Sequence, residues 1–202
     1  VFKNMLGKTV GGDAVNITDA PALPDEWGSY KYDSEGTPSQ YTKLVVNGKL
    51  NSYLHSRATA AEFDTKSTGN ARAESYNHAP IVRMSNTYFE GGKYKLDELA
   101  SEVKNGYLLI GFRGGQVNTL TGDFTFGCEA AREIKNGELG TLLKGCVFGG
   151  SILEILHNVF GCTAFNKKMG IGWCGKGGQS VPAGDGACNV GVKKLHIGGA
   201  DA

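Results

Sequence analysis

No stretch of this chain is long and apolar enough to cross a bilayer, which takes roughly 18 or more residues with few charges. Neither sign of charge dominates: 21 Lys and Arg stand against 20 Asp and Glu, a formal net charge of +1, and the two signs are interspersed. With that balance nothing argues for a nucleic-acid or membrane surface. No Pro/Ser-rich or charged linker divides the 202 residues, so a single domain is expected. No pair of cysteines has CxxC spacing; Cys128, Cys146, Cys162, Cys174 and Cys188 lie 18, 16, 12 and 14 residues apart. Their odd number argues against a disulfide framework and for a reducing, cytoplasmic setting. The 4 histidines, His55, His78, His157 and His196, are isolated and form no HExxH-like pair. No charged-then-apolar leader follows Val1, and we expect the carboxy-terminal part of a longer protein.

What the chain has in excess is glycine, 31 residues, about twice the usual share of roughly 7%. Much of it gathers in Met169–Gly186, MGIGWCGKGGQSVPAGDG, around Cys174 and Lys176. We read this stretch as a loop in which amides and the lysine favour a thiolate at Cys174, the form that binds metal. Gly170, Gly172 and Gly175 fit GxGxxG, and Gly170, Gly175 and Lys176 fit the spacing of a phosphate-binding loop. Both motifs need a helix to start at once. KGGQSVPAGDG cannot form one, so both are set aside.

Elsewhere the pattern is that of short strands. Residues Val1–Ile17 suit one or two strands, and Thr18–Gln40 reads as a long polar loop. Tyr41–Val46 and Lys49–Leu54, joined by Asn47-Gly48, predict a hairpin with a type I′ turn. A short helix is predicted over Ser56–Phe63, a strand over Ile81–Phe89, and a helix over Asp97–Lys104 capped by Asp97 and closed by Asn105-Gly106. Tyr107–Phe112, Gln116–Leu120, Asp123–Cys128, Glu129–Lys135 and Thr141–Phe148 read as an antiparallel meander. Ser151-Ile-Leu-Glu154 is a capping box opening a helix to Phe160, and Ala187–Ile197 is a closing strand. The fold class is α+β, a mainly antiparallel sheet, barrel- or sandwich-like, with two or three short helices. His78 in a polar loop and His157 on a helix are read as structural or solvent-facing, and the four cysteines other than Cys174 as core.

Gly114, Gly115, Gln116 and Val117 form the second candidate site. Bare backbone beside a strand edge lets an extended peptide add as a further strand; a glycine hinge between two strands is the competing reading. Replacing Gly115 by Val in the intact protein would separate them through the Michaelis constant for peptides.

In order along the chain stand Asp33-Ser-Glu-Gly-Thr-Pro38, Thr68-Gly-Asn-Ala-Arg72 with Glu74-Ser-Tyr76, Met84-Ser-Asn-Thr87, Gly114-Gly-Gln-Val-Asn118 with Thr121-Gly122, and Cys174-Gly-Lys-Gly-Gly-Gln-Ser-Val-Pro182. With these pieces the sequence resembles the carboxy-terminal half of the TldD/PmbA family of metallopeptidases. The CGKxGQS segment resembles the zinc-binding TldD branch rather than the TldE branch. The resemblance implies a zinc ion held by Cys174 and by two histidines of an HExxxH motif that this chain lacks. That motif sets its histidines about 140° apart on a regular helix, so they meet at one metal only if the helix is distorted.

The implied function is cleavage of short or unfolded peptides in the cytoplasm, with a PmbA/TldE-like partner subunit or a second copy, and no nucleic acid or membrane. No catalytic residue is expected in the chain itself, which alone should be silent. The alternative is a non-enzymatic binding or assembly module, the sense of the family's "modulator of DNA gyrase" label.

Overall fold

The computed structural model describes residues 1–165 and 169–199. The chain first runs through turns instead of the strands expected over Val1–Ile17, touching the sheet by a bridge between Thr9 and Lys49, and enters β1 (Ile17–Asp19). After the long polar loop, β2 (Thr42–Val46) and β3 (Lys49–Leu50) make the expected hairpin. Its turn needs positive φ twice, and Asn47 (47°) and Gly48 (73°) supply it. Helix α1 (Arg57–Glu62) starts at Ser56, whose hydroxyl accepts from the Thr59 amide while the Thr59 hydroxyl accepts from the Ser56 amide.

The single strand expected over Ile81–Phe89 is two. β4 (Ala71–Arg72) pairs with β5 (Ile81–Val82), whereas β6 (Asn86–Phe89) joins the large sheet. Helix α2 (Leu96–Val103) is preceded by Lys95, not capped by Asp97. Glu98 accepts from the Lys95 amide at 2.7 Å, and Asp97 falls in the first turn, where its charge complements the helix dipole. Lys104 (φ 62°) makes the left-handed exit, which leaves Gly106 free to open β7 (Gly106–Ile110).

β8 (Gly115–Val117), β9 (Asp123–Gly127), β10 (Ala130–Lys135), β11 (Glu138–Lys144) and β12 (Cys146–Ser151) follow. They do not form one meander. The order β11-β10-β7 makes one sheet, and β12, β9 and β8 belong to another. The chain passes between the two sheets at Cys128-Glu129 and again at Gly145, where a Cβ would lie 2.2 Å from the Cys128 carbonyl oxygen. That close crossing breaks the strand expected over Thr141–Phe148. Helix α3 (Ile152–Asn158) forms without a side-chain cap from Ser151 and stops before Phe160, because Val159 turns extended and opens β13 (Val159–Cys162).

β14 (Gly170–Lys176) and β15 (Gln179–Gly186) come next. The last expected strand divides into β16 (Val190–Val192), paired with β13, and β17 (His196–Gly199), paired with β12. The largest sheet has the order β14-β15-β6-β1-β2-β3, antiparallel except for β15 against β6. The main apolar core joins this sheet to α3 and β13 through Val10, Val15, Val45, Leu50, Leu156, Val159 and Cys162. Among the described residues the architecture is α+β with three helices, and the five sheets close into no barrel. No helix of those residues is long and apolar enough to cross a membrane.

Candidate functional site

Cys174 lies not in a loop but in β14, opposite Val181 of β15. Two glycines explain the hairpin: Lys176 pairs with Gln179, so Gly177 and Gly178 are the whole turn, at φ 58° and 72°. A two-residue Gly-Gly connection between extended runs is itself a hairpin signal, and it was there to be read. Gly170, Gly172 and Gly175 are strand residues with no helix after them, so neither glycine motif has the setting it requires.

The hairpin is held from below by residues far away in sequence. Glu74 accepts from the Ser180 amide at 2.8 Å and donates its own amide to Gln179 Oε1 at 3.1 Å. Gln179 Nε2 donates to the Ala79 carbonyl at 2.9 Å. β14 is the end strand of its sheet, and Trp27 covers part of it: Nε1 donates to the Gly172 carbonyl at 3.1 Å, and its ring meets Trp173 edge-on at 5.7 Å.

Cys174 is half-buried. Neither converging amides nor Lys176 attends its sulfur: Lys176 Nζ donates instead to the Val82 carbonyl at 2.9 Å. The neighbour is Arg83, whose Nε lies 3.4 Å from Sγ. Arg83 Nη2 donates to the carbonyls of Cys174 and, at 3.2 Å, Gln179. A second guanidinium, Arg72, lies 4.9 Å from the Tyr30 ring centroid and donates to the Met84 carbonyl at 2.7 Å. Burial lowers the Arg72 pKa and raises that of Tyr30, whose hydroxyl donates to the Gly69 carbonyl at 2.7 Å.

The motif residues beneath this site are mostly scaffold. Asp33 accepts from the amides of Glu35, Thr37 and Ala71, and Asn86 ties Gly28 to Ala20 and Ser29. Asn70 donates to Asp19 and to the Arg83 carbonyl. Asp19 and Arg83 were not singled out in the sequence. The signal was a charged residue inside each of two otherwise strand-like runs, Ile-Thr-Asp-Ala and Ile-Val-Arg-Met.

Gly114–Val117 is elsewhere: β8 is the end strand of the sheet β17-β12-β9-β8, separate from the sheet of Cys174. The two candidate sites are therefore not brought together within one sheet. Of the remaining cysteines, Cys128 and Cys162 are buried and Cys146 and Cys188 half-buried; the Cys128 and Cys146 sulfurs are 3.3 Å apart. His157 is exposed, and His78 Nδ1 lies 2.8 Å from the Ser75 hydroxyl.

As a zinc site, the chain supplies suitable chemistry but too few donors. A strand-borne thiol facing an N–H donor suits a borderline-soft ion. Among the described residues, however, no three of His, Cys, Asp and Glu converge.

This fold, with its Cys174 hairpin and its Asp33, Asn70 and Asn86 scaffold, is that of a metallopeptidase family domain. The family model described as the PmbA/TldA metallopeptidase C-terminal domain matches residues 1–199, and the chain belongs to that family. It is 47% identical over 92% of its length to a metalloprotease of Methanocaldococcus jannaschii, and 33% identical over 96% to a zinc metalloprotease TldD homolog of Saccharolobus solfataricus. It spans 41% and 44% of those two proteins. Among solved structures, TldE from Thermococcus kodakarensis shares the fold with a TM-score of 0.76 at 20% identity, over 98% of this chain and 42% of that one.

Proposed function

We propose that this chain is the carboxy-terminal domain of a zinc metallopeptidase that cleaves short or unfolded peptides, and that Cys174 is its contribution to the metal. The observation that carries the reading is the Cys174 sulfur itself, half-buried on an end strand and facing the Nε–H of a buried arginine. A zinc ion held there with two histidines from outside these 202 residues would lower the pKa of a bound water to roughly 7. The chain's own residues do the rest of what is proposed for it. Gly177-Gly178 and the Glu74 clamp keep the hairpin rigid, Arg83 faces the sulfur, and Trp27 covers part of the outer edge.

The free edge of β8, Gly114 to Val117, is proposed to take substrate as an added strand. Main-chain pairing reads backbone rather than side chains, which suits unfolded peptides. The setting is proposed to be cytoplasmic, with a TldE-like subunit or a second copy as partner.

The test is made on the intact protein that carries this domain. Cys174→Ala should lose stoichiometric zinc by elemental analysis and at least about 100-fold of its activity on an unstructured peptide, a loss of roughly 2.7 kcal/mol in transition-state stabilisation. Retention of both zinc and activity would refute the assignment. The 202-residue chain assayed alone should be inactive; a chelator-sensitive peptidase there would place the whole centre within it.

A second reading, an assembly module, is favoured by the apolar residues that β7 and β11 leave exposed on one face of their sheet, Ile110 (38%) and Leu142 (59%). Sedimentation of the intact protein with Leu142→Lys separates the readings, because only assembly should suffer if that face serves a partner alone.

A further inference from the structure

We infer that Arg83 is the positioning residue for the Cys174 sulfur, its guanidinium donating Nε–H to Sγ and fixing the strand that carries it, so that the sulfur meets its metal in one orientation. This rests on the metal reading of Cys174 and deepens it.

Arg83 is only 2% exposed, and a buried guanidinium is costly unless it is hydrogen-bonded or paired. Among the described residues the ion pairs are Lys43–Glu90 and Lys194–Glu154, so no carboxylate lies at ion-pair distance from Arg83. Asp19, the acid buried nearby, spends its oxygens on Ser85, Thr87 and Asn70. The arginine is met instead by two carbonyls and a sulfur, and Nη1 has no partner among the described residues.

The geometry also fixes direction. Nη2 bridges Cys174 on β14 and Gln179 on β15, one residue on each arm of the hairpin. A guanidinium is a planar fork, so anchoring one end sets where Nε–H points, and it points at Sγ. The base of the side chain is equally held: the Arg83 amide donates to the Asn70 carbonyl at 2.9 Å, and Asn70 Nδ2 returns a bond to the Arg83 carbonyl at 3.1 Å. Lysine could carry the charge but not the fork.

Two measurements decide it. In the metal-free 202-residue chain, labelled with nitrogen-15, the Arg83 Nε–H signal should exchange slowly and shift on Cys174→Ala but not on Cys188→Ala. Fast exchange, indifferent to Cys174→Ala, would overturn the contact. In the intact protein, Arg83→Lys should weaken zinc binding by about 10–100-fold, the usual loss for an outer-shell partner. It should also move the thiolate-to-metal charge-transfer band of the cobalt(II)-loaded form. Glu74→Ala, which removes the acceptor of the Ser180 amide on the same hairpin, should leave that band in place. A folded Arg83→Lys protein with unchanged affinity and band, or a Glu74→Ala band that moves as far, would reduce Arg83 to scaffolding and overturn the role. An intact wild-type protein that takes up neither zinc nor cobalt would overturn the metal reading, and the first measurement would still decide the arginine–sulfur contact.

Discussion

Asn70 Nδ2 donates to Asp19 Oδ2 at 2.8 Å, and neither side chain has any exposed surface. The same amide reaches the Arg83 carbonyl, and Arg83 reaches Cys174, so one hydrogen-bonded path runs from β1 to the end strand of the sheet. Three other donors converge on Asp19: the Ser85 amide at 2.8 Å, the Ser85 hydroxyl at 2.7 Å and the Thr87 hydroxyl at 2.7 Å.

Asp19→Asn should therefore be severe although it conserves shape. The new NH2 would face donors, and at least one buried group would lose its acceptor. Hydrogen bonds to a charged group contribute about 1.5–3 kcal/mol each. We expect a loss of about 3 kcal/mol in urea unfolding and a looser hairpin, seen as faster amide exchange in β14. A loss under about 1 kcal/mol would mean that the network is dispensable.

The edge of β8 calls for a different probe from Gly115→Val. A Cβ on Gly115 would lie 2.1 Å from Phe126 Cδ1 and 2.3 Å from the Thr125 carbonyl oxygen, so that variant disturbs β9 before any peptide arrives. The Asn118 amide bonds to Asp123 and the Gly127 amide to Gly114, at 2.8 and 3.0 Å. That alternation turns the amides of Gly115 and Val117 outward. Val117→Pro removes an outward donor and no ladder bond. In the intact protein it should raise the Michaelis constant for long peptides severalfold with the melting temperature nearly unchanged; an unchanged constant would make β8 an ordinary edge.

His55 makes the domain sensitive to mild acid. It is buried against Tyr53 and Phe63, and that burial holds its pKa below the ordinary value of 6.5. As pH falls, the unfolded imidazole takes its proton first. Stability present above about pH 6.5 is thus lost below it. Urea midpoints measured from pH 7.5 down to 5 should decline, and His55→Gln should flatten the decline; parallel slopes would exclude His55 as the source.

Features set by a few adjacent residues were legible in the sequence. Asn47-Gly48 specified its turn because both positions need positive φ, and Ser56 specified a helix start because a hydroxyl there satisfies an otherwise free amide. The same reasoning failed where a competing contact, local or distant, prevailed. Asp97 is a good cap, yet Glu98 reaching back to Lys95 starts the helix earlier. Gly145 looked like a residue within a strand, but its contact with Cys128 makes it the point where the chain changes sheets. At the site, Cys174 stood out as a thiol among glycines, whereas the loop expected around it is a hairpin.

The sequence by itself determined the tight turns, the α+β class and the one cysteine set among glycines, because each depends on φ restrictions and bonds spanning a few residues. Only the tertiary structure decided what that cysteine faces. Lys176, two positions away, turns to the Val82 carbonyl, while Arg83, 91 residues away, comes to the sulfur. A side chain's partners lie across the sheet and beyond it as well as along its own strand, so even two positions that share a face of β14 were not nearest neighbours in space.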